Sequence, residues 1–564
     1  MRAYRIPALL FAAFLPLYLP FRSRFLVNWD AVNFALGTHG FDLQHHQPHP
    51  PGYIGYVSAG WLLNHLTGDA NTSLTLLSVL SVAAAPAAFF LLASLFMQRK
   101  YALWSAILLG LSPIVWYYSG VALTYAVELT LGLFFLWAAY LGRQRSSSRL
   151  LLAATLLLVV LGAMRPSGAL FLMPLWLYTV WPLAWRARLS LAAVLVAGNL
   201  LWLVPLMWLS GGVGAFVTVS RELVDLVVVP TSVFGGGAAA PGPLRNLLFL
   251  LLGVLIGANF SLLLIGAALA IDRRAFGVLG RHRAFLALWL GPSVLTYVLL
   301  HTGQLGYVLL ILPALFLLVG LSMEAIASHL RDPADAVRGG RRLGGRRLSP
   351  AGGTALLAVG NVAVFLALPP MLGGLVPRQG ASTSDRPPVI RPLGWLASAL
   401  GNAGVGGHPR QFDLRGSDAY WRELTELTRT YDPTQTVILT AAEPGGSFRH
   451  LTYYVPGYRV YGLGWDLRGR FGHLFTAFGG TSDYTPRNLR ASHPELTLSP
   501  EVTTLIVPDR TLQARLPEGA GVRVQLARGP DVVIVSVSPR ARVVVRSPAD
   551  RRGRIEVTTA SVQD

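Results

Sequence analysis

The chain is predicted to be a polytopic α-helical membrane protein that carries a soluble domain at its C-terminus. Three observations lead there. Of its 564 residues, 53% are hydrophobic and only 13% are charged, about half the roughly 25% of a soluble globular chain. The charge deficit is concentrated in residues 1–375, where long apolar runs recur. The formal net charge of +20 is almost all arginine, Lys100 being the one lysine, and within 1–375 it gathers in short segments between those runs. A basic chain invites a nucleic-acid reading, but arginines held in turns between apolar runs follow membrane topology, so no nucleic-acid partner is expected. The sequence has no cysteine, which excludes disulfides and thiolate metal sites.

A spanning helix needs about 20 mainly apolar residues. About eleven runs qualify: 5–21, 74–97, 102–118, 121–141, 150–164, 167–183, 190–209, 246–270, 284–301, 306–326 and 353–373. The first follows Met1-Arg2-Ala3-Tyr4-Arg5 as in a signal peptide, but Arg22-Ser23-Arg24 comes next and no small-x-small cleavage site does, so it is expected to remain as a membrane helix. With the N-terminus in the cytoplasm, alternating spans leave Arg99/Lys100, Arg143/Arg145/Arg149, Arg186/Arg188, Arg273 to Arg283 and Arg331 to Arg347 inside, as the positive-inside rule requires. An odd span count then puts the C-terminal domain outside, at a plasma (inner) membrane.

The outside segments are longer and different in kind. Residues 22–73 are rich in His, Pro, Asn and aromatics; residues 210–245 contain a possible short helix near 220–228 and a Gly/Ala/Pro stretch at 235–243. Long polar loops on one face of a bundle are where function usually sits. The domain boundaries expected are a transmembrane unit over 1–375, a Pro/Gly/Ser-rich linker over 376–415 and a soluble α/β or mainly β domain over 416–564. Ser417 or Asp418 is placed to cap a helix running to Tyr431. Strands are expected at Thr436–Thr440, Thr503–Val507, Val522–Leu526, Val532–Val537, Arg542–Val545 and Ile555–Thr558, the last three as antiparallel hairpins. No internal repeat is visible.

The first outside loop holds Asn28-Trp29-Asp30 and, further on, His45-His46-Gln47-Pro48-His49-Pro50-Pro51-Gly52-Tyr53. Residues 30–37 and 53–66 are expected as interfacial helices. A carboxylate at a membrane surface beside an apolar wall can act as a general base; the alternative is that Asp30 caps its helix. His45, His46 and His49 lack a nearby Cys or paired carboxylate to complete a metal set, so polar substrate contacts are the expected role of His46 and His49. Glu128 and Arg165 fall near the outside ends of apolar runs, where ionisable groups are functional or paired; Arg165, in Met164-Arg165-Pro166-Ser167-Gly168, has a bidentate fork suited to phosphate. His301-Thr302-Gly303-Gln304-Leu305-Gly306-Tyr307 links two late spans on the same side, ahead of Leu312-Pro313.

The order of these features resembles the GT-C superfamily of membrane glycosyltransferases, in particular the protein O-mannosyltransferase and aminoarabinose-transferase type. Asp30 matches the acidic motif after the first span, Pro50-Pro51-Gly52-Tyr53 the opening of an interfacial helix, Met164 to Gly168 the basic residue plus Gly at an outside turn, and His301 to Pro313 the segment that opens a late span. The resemblance covers about residues 1–330. It departs from many relatives in one respect: Ala31 follows Asp30 where they carry a second acid, which leaves any second acidic role to Glu128 and a divalent-metal requirement unsupported. No other cofactor is implied. The resemblance implies an inverting transfer of a sugar from a polyprenyl-phosphate donor to an extracytoplasmic glycan, lipid or protein acceptor. Asp30 would be the base or acceptor-orienting group, and His46, His49, Tyr53, Arg165, His301 and Tyr307 would bind substrate, Arg165 at the donor phosphate. A transporter or flippase of a lipid-linked glycan is the competing class; it would need broken helices, paired charges near the midplane and internal symmetry. A membrane anchor that only displays its soluble domain would not need so many spans.

Overall fold

The structure is a computed structural model that describes residues 4–235, 242–272, 274–330, 350–366, 411–441, 447–465, 472–478, 481–482, 495–527, 529–546 and 554–558. The helical part runs α1 (Arg5–Tyr18), α2 (Trp29–His39), α3 (Ile54–Thr67), α4 (Ala70–Ala93), α5 (Arg99–Gly110), α6 (Pro113–Ser119), α7 (Tyr125–Gln144), α8 (Ser148–Met164), α9 (Pro166–Val180) and α10 (Trp185–Leu209). It continues through α11 (Val213–Leu223), α12 (Gly242–Ala258), α13 (Leu262–Ile271), α14 (Gly277–Gly280), α15 (Arg283–Leu299), α16 (Leu312–His329) and α17 (Pro350–Leu366).

Five of these are long and apolar enough to cross a membrane: α4, α7, α10, the 30-residue Gly242–Ile271 unit made of α12 and α13, and α16. Shorter apolar helices accompany them at Arg5–Phe21, α8, α9, α15 and Gly352–Leu366. The run 102–118, expected as one span, is two helices bent by 59°. Pro113 opens α6, and a residue before proline is pushed out of the helical region. The late span also starts later than expected: Leu305–Leu310 is a 3₁₀ turn and Pro313 sits in the first turn of α16, where its missing N–H costs no hydrogen bond.

Helices α4 and α7 lie at the centre, while α10 faces outward with Val196, Leu201, Val204 and Trp208 exposed, as a lipid-facing helix requires. Trp116 of α6 stacks on Phe365 of α17 at 4.5 Å and so ties the last helix to the bundle.

The C-terminal part is α18 (Gln411–Arg429), β1 (Thr436–Ala441), α19 (Phe448–Tyr454), β2 (Arg459–Trp465), β3 (Gly472–Phe478), β4 (Thr481–Ser482), β5 (Glu495–Thr497), β6 (Thr504–Val507), α20 (Arg510–Gln513), β7 (Val522–Val524), β8 (Val532–Ser536), β9 (Arg542–Arg546) and β10 (Arg554–Thr558). A seven-stranded sheet has the order β4-β3-β2-β1-β6-β8-β7, and a three-stranded sheet the order β10-β9-β5. β1 is parallel to both β2 and β6; the other pairs are antiparallel. Period-two alternation gives the large sheet two apolar faces. Ile438, Ile506 and Ile534 pack with Trp421, Leu424 and Phe448 of α18 and α19. Val437, Leu439, Leu505, Val507 and Val533 pack with Val543 and Ile555 of the small sheet.

Two expectations change here. Of the last three strands, β9 and β10 form a hairpin, but β8 belongs to the large sheet beside β6 and β7. Helix α18 starts at Gln411, inside the expected linker, so Asp418 lies within it and is no cap. The rest of that linker, 376–410, and the arginine segment 331–347 lie outside the described residues, as does 236–241 of the Gly/Ala/Pro stretch.

Candidate active site

Asp30 stands in the first turn of α2 but does not cap it. Asn28 does, its Oδ1 accepting the Ala31 N–H at 2.9 Å. Asp30 Oδ2 instead accepts from Gln304 Nε2 at 2.6 Å, and Oδ1 lies 3.7 Å from His49 Nδ1. The Asp30 side chain is 35% exposed and that of His49 is 14%, so the carboxylate stands at an opening while the imidazole nitrogen that faces it is buried.

The loop that delivers His49 is a closed unit. Asp42 and Gln47 exchange backbone hydrogen bonds at 2.6 and 2.8 Å, and Asp42 accepts from the Gln44 and His45 N–H groups. His46 adopts the left-handed conformation (φ 57°) and is buried beneath the loop. Its pKa is lowered to about 3 by burial, then by the charge of Arg449 and by His49 and His45. Burial also lowers that of His49, against the pull of Asp30, so its ring is neutral. The ring packs on Phe34 at 5.2 Å and Tyr53 at 5.0 Å.

Behind this opening lies a buried ion pair. Glu128, in the first turn of α7, approaches Arg165 Nε at 2.7 Å, with 1% and 5% exposure; the pair is close without being aligned as a hydrogen bond. Arg165 joins α8 to α9 with extended backbone, donates from Nη1 to Thr124 Oγ1 at 2.7 Å, and lies over the Tyr125 ring at 4.1 Å and the Tyr307 ring at 5.6 Å. A Cβ on Gly168 would meet Glu128 Oε1 at 2.5 Å, which explains the glycine two residues after Pro166.

His301 lies to the other side of Tyr307, 6.2 Å ring to ring, with Nδ1 2.8 Å from Thr231 Oγ1. Its pKa is lowered to about 4 by burial and by the charge of Arg245, against Asp30. Arg245, at the start of α12, donates to Asn246 Oδ1 at 3.0 Å and to the Thr302 carbonyl at 3.4 Å.

Asp30, His49, Tyr53, Glu128, Arg165, His301 and Tyr307, scattered over nearly 280 residues of sequence, therefore form one cluster, with His46 below it. Sequence reasoning missed Gln304 and Arg245. Gln304 lay inside the His301–Tyr307 motif, but a neutral amide carries no signal of its own. Among the described residues no group of three or more His, Asp or Glu side chains is placed to hold a metal ion.

No family model and no curated protein sequence matches the chain. Solved structures do. ArnT from Cupriavidus metallidurans bound to undecaprenyl phosphate matches with a TM-score of 0.52 at 13% identity, over 94% of this chain and 97% of that one. The same protein in the apo state matches with a TM-score of 0.46 at 13% identity over the same shares. AglB, an oligosaccharyltransferase from Archaeoglobus fulgidus in complex with an inhibitory peptide and a dolichol-phosphate, matches with 0.45 at 10% identity, over 90% of this chain and 70% of that one. ArnT is an aminoarabinose transferase of GT-C type. The resemblance read from the sequence thus holds at the level of the fold, nearly end to end.

Two outcomes follow from this geometry. Gly168→Ala should push Glu128 off Arg165 and lower stability by about 1–3 kcal/mol, as overpacking does; thermal unfolding of the purified protein measures it. His46 and His301 bind protons less readily folded than at their ordinary 6.5, so the unfolded chain takes up more protons below that pH. Stability should be flat above about pH 6.5 and fall as pH drops toward 3. His46→Asn, which tolerates the left-handed backbone, should reduce that slope.

Proposed function

We propose that this protein is a membrane glycosyltransferase that moves a sugar from a polyprenyl-phosphate donor to an acceptor hydroxyl outside the membrane, with inversion. The observation that carries the reading is the part-exposed Asp30 carboxylate, oriented by Gln304 and faced by neutral His49, in a chain with the fold of a protein solved with undecaprenyl phosphate. In this reaction the acceptor oxygen attacks the anomeric carbon, the carbon–oxygen bond to phosphate breaks, and the acceptor proton passes to Asp30. His49 Nδ1, buried and without a hydrogen-bond partner among the described residues, stands 3.7 Å from the carboxylate and walls the acceptor side of Asp30. The departing polyprenyl phosphate carries away the bonding pair and needs a cation.

Arg165 fills that role in the sequence reading, but its Nε faces Glu128 and its Nη1 donates to Thr124. Among the described residues Arg245 has only neutral oxygens as its hydrogen-bond acceptors, beside His301. We assign the phosphate to Arg245 with His301, and to Arg165 and Glu128 the placing of Tyr125, Tyr307 and α7. A transporter also uses buried charge pairs and broken helices. Here Glu128 opens α7 and Arg165 stands between α8 and α9, so the pair joins helix ends beside Asp30 rather than the bundle middle. The proposed orientation has the Arg143–Arg149 turn in the cytoplasm and the 22–73 loop and C-terminal domain outside.

Transfer assays with a panel of polyprenyl-phosphate sugars test the reading directly. Asp30→Asn should lower turnover by about 10²–10⁴-fold, the usual share of general-base catalysis, with folding and donor binding retained; near-normal turnover would remove Asp30 from the mechanism. Arg245→Lys should raise the KM for donor more than that for acceptor, because a point charge replaces the fork. For orientation, Ser148→Cys and Ser538→Cys, both exposed in a chain without cysteine, should be labelled from opposite sides of a sealed vesicle. Labelling from the same side would overturn the topology.

A further inference from the structure

The proposed chemistry gives the C-terminal domain no part, yet that domain is fastened to the very segment that carries Asp30 and His49. Asp418 accepts from the Arg24 N–H at 2.9 and 3.0 Å and from the Phe25 N–H at 2.9 Å. Tyr454 Oη accepts the Leu26 N–H at 2.7 Å. His450 Nε2 lies 2.9 Å from the Leu26 carbonyl; a carbonyl only accepts, so that nitrogen carries the proton. The ring is stacked on Trp421 at 3.9 Å and 4°. These contacts attach the domain just ahead of the Asn28 cap.

Arg449 makes a separate contact on the other side of α2. It is fully buried, and its Nη2 donates to the His45 carbonyl at 2.6 Å. A guanidinium is costly to desolvate, and attachment of the domain is already provided at residues 24–26. What Arg449 adds is a hold on the 42–52 loop. That loop transmits the hold because it is closed by the Asp42–Gln47 backbone pair, and because Pro48 packs directly on α2, where a Cβ at Gly37 would stand 3.0 Å from it.

We infer that Arg449 is a positioning residue of the active site: by holding the His45 carbonyl it fixes the 42–52 loop, and with it His49, against Asp30. The C-terminal domain is then the outer wall of the acceptor side and not an appended module. The inference rests on the reading of Asp30 as the reacting carboxylate, but its structural half can be tested without turnover.

The experiment uses the full-length protein with Arg449→Met, Arg449→Lys and, as a control elsewhere in the same domain where the side chain bonds Ser499, Glu501 and the Thr434 carbonyl, Arg459→Met. Amide hydrogen exchange is measured without substrate, and transfer kinetics with it. Loss of the charge-assisted hydrogen bond to the His45 carbonyl should speed exchange within 42–52 by about tenfold or more, while 24–27 stay protected. It should lower kcat with the donor KM within about twofold, and Arg449→Lys should recover part of both. Arg459→Met should change neither. Unchanged exchange in 42–52 overturns the inference, as does a uniform rise across the C-terminal domain, which marks a purely structural role. If the wild-type chain transfers no sugar, the functional reading fails by itself, and the exchange data still decide whether Arg449 holds the loop.

Discussion

Glu128 and Arg165 meet at 2.7 Å with almost no exposure, and much of the outer end of the bundle is arranged around that contact. A lone charge at this depth is expensive, so the first turn of α7 must abut the junction of α8 and α9. Pro166 opens α9, Gly168 leaves room for the carboxylate, and Tyr125 and Tyr307 cover the guanidinium. Removing one partner of such a pair strands the other, at a cost of about 3–5 kcal/mol. The pair fixes where Tyr307 stands. The 3₁₀ turn that holds Tyr307 follows directly on Gln304, the residue that orients Asp30.

The same physics gathers the candidate site at one end. Backbone that faces hydrocarbon must be satisfied within its own helix, so apart from breaks packed inside the bundle, such as that between α5 and α6, irregular segments fall where the chain emerges. The 22–53 loop, the α8/α9 junction and the 301–307 segment are all such places, and contacts among their side chains bring them together. The C-terminal domain is fastened to the first of them by hydrogen bonds to backbone groups of residues 24–26 and 45. Contacts to backbone hold a loop's course without depending on the identity of its side chains.

What the sequence made legible follows from this. The apolar runs stand out because hydrocarbon imposes a length and a composition, and strands β1, β6 and β8 because each is a short unbroken run of β-branched and apolar residues, as a strand buried on both faces requires. β2 was missed: Gly462 and Gly464 interrupt its apolar pattern, and its place beside β1 comes from tertiary pairing. The break between α5 and α6 was marked by Pro113, but the apolar run passes through it without a polar residue that forces a stop. At the site, charged residues in unusual places were visible, so Asp30, Glu128 and Arg165 could be picked out. Gln304 and Arg245 could not, since a loop amide and an arginine in the first turns of a helix become informative only when their neighbours are known.

Asp30 is distinguished less by where it lies in the sequence than by what its oxygens lack. Several other aspartates among the described residues are occupied by backbone N–H groups. Asp42 accepts from Gln44 and His45, Asp69 from Thr72, Asp272 from Arg274, Asp418 from Arg24 and Phe25, and Asp509 from Ala441 and Ser447. Each is a turn, cap or tether, its oxygens held by donors that cannot leave. Asp30 has the local setting of a cap, two residues into a helix, yet Asn28 performs that task. One oxygen receives a side-chain amide, and the other faces an imidazole at 3.7 Å, too far for a hydrogen bond. A carboxylate relieved of structural duty, oriented through one oxygen and open at the other, is the arrangement a proton acceptor requires. Capping by Asn28 is what makes it available.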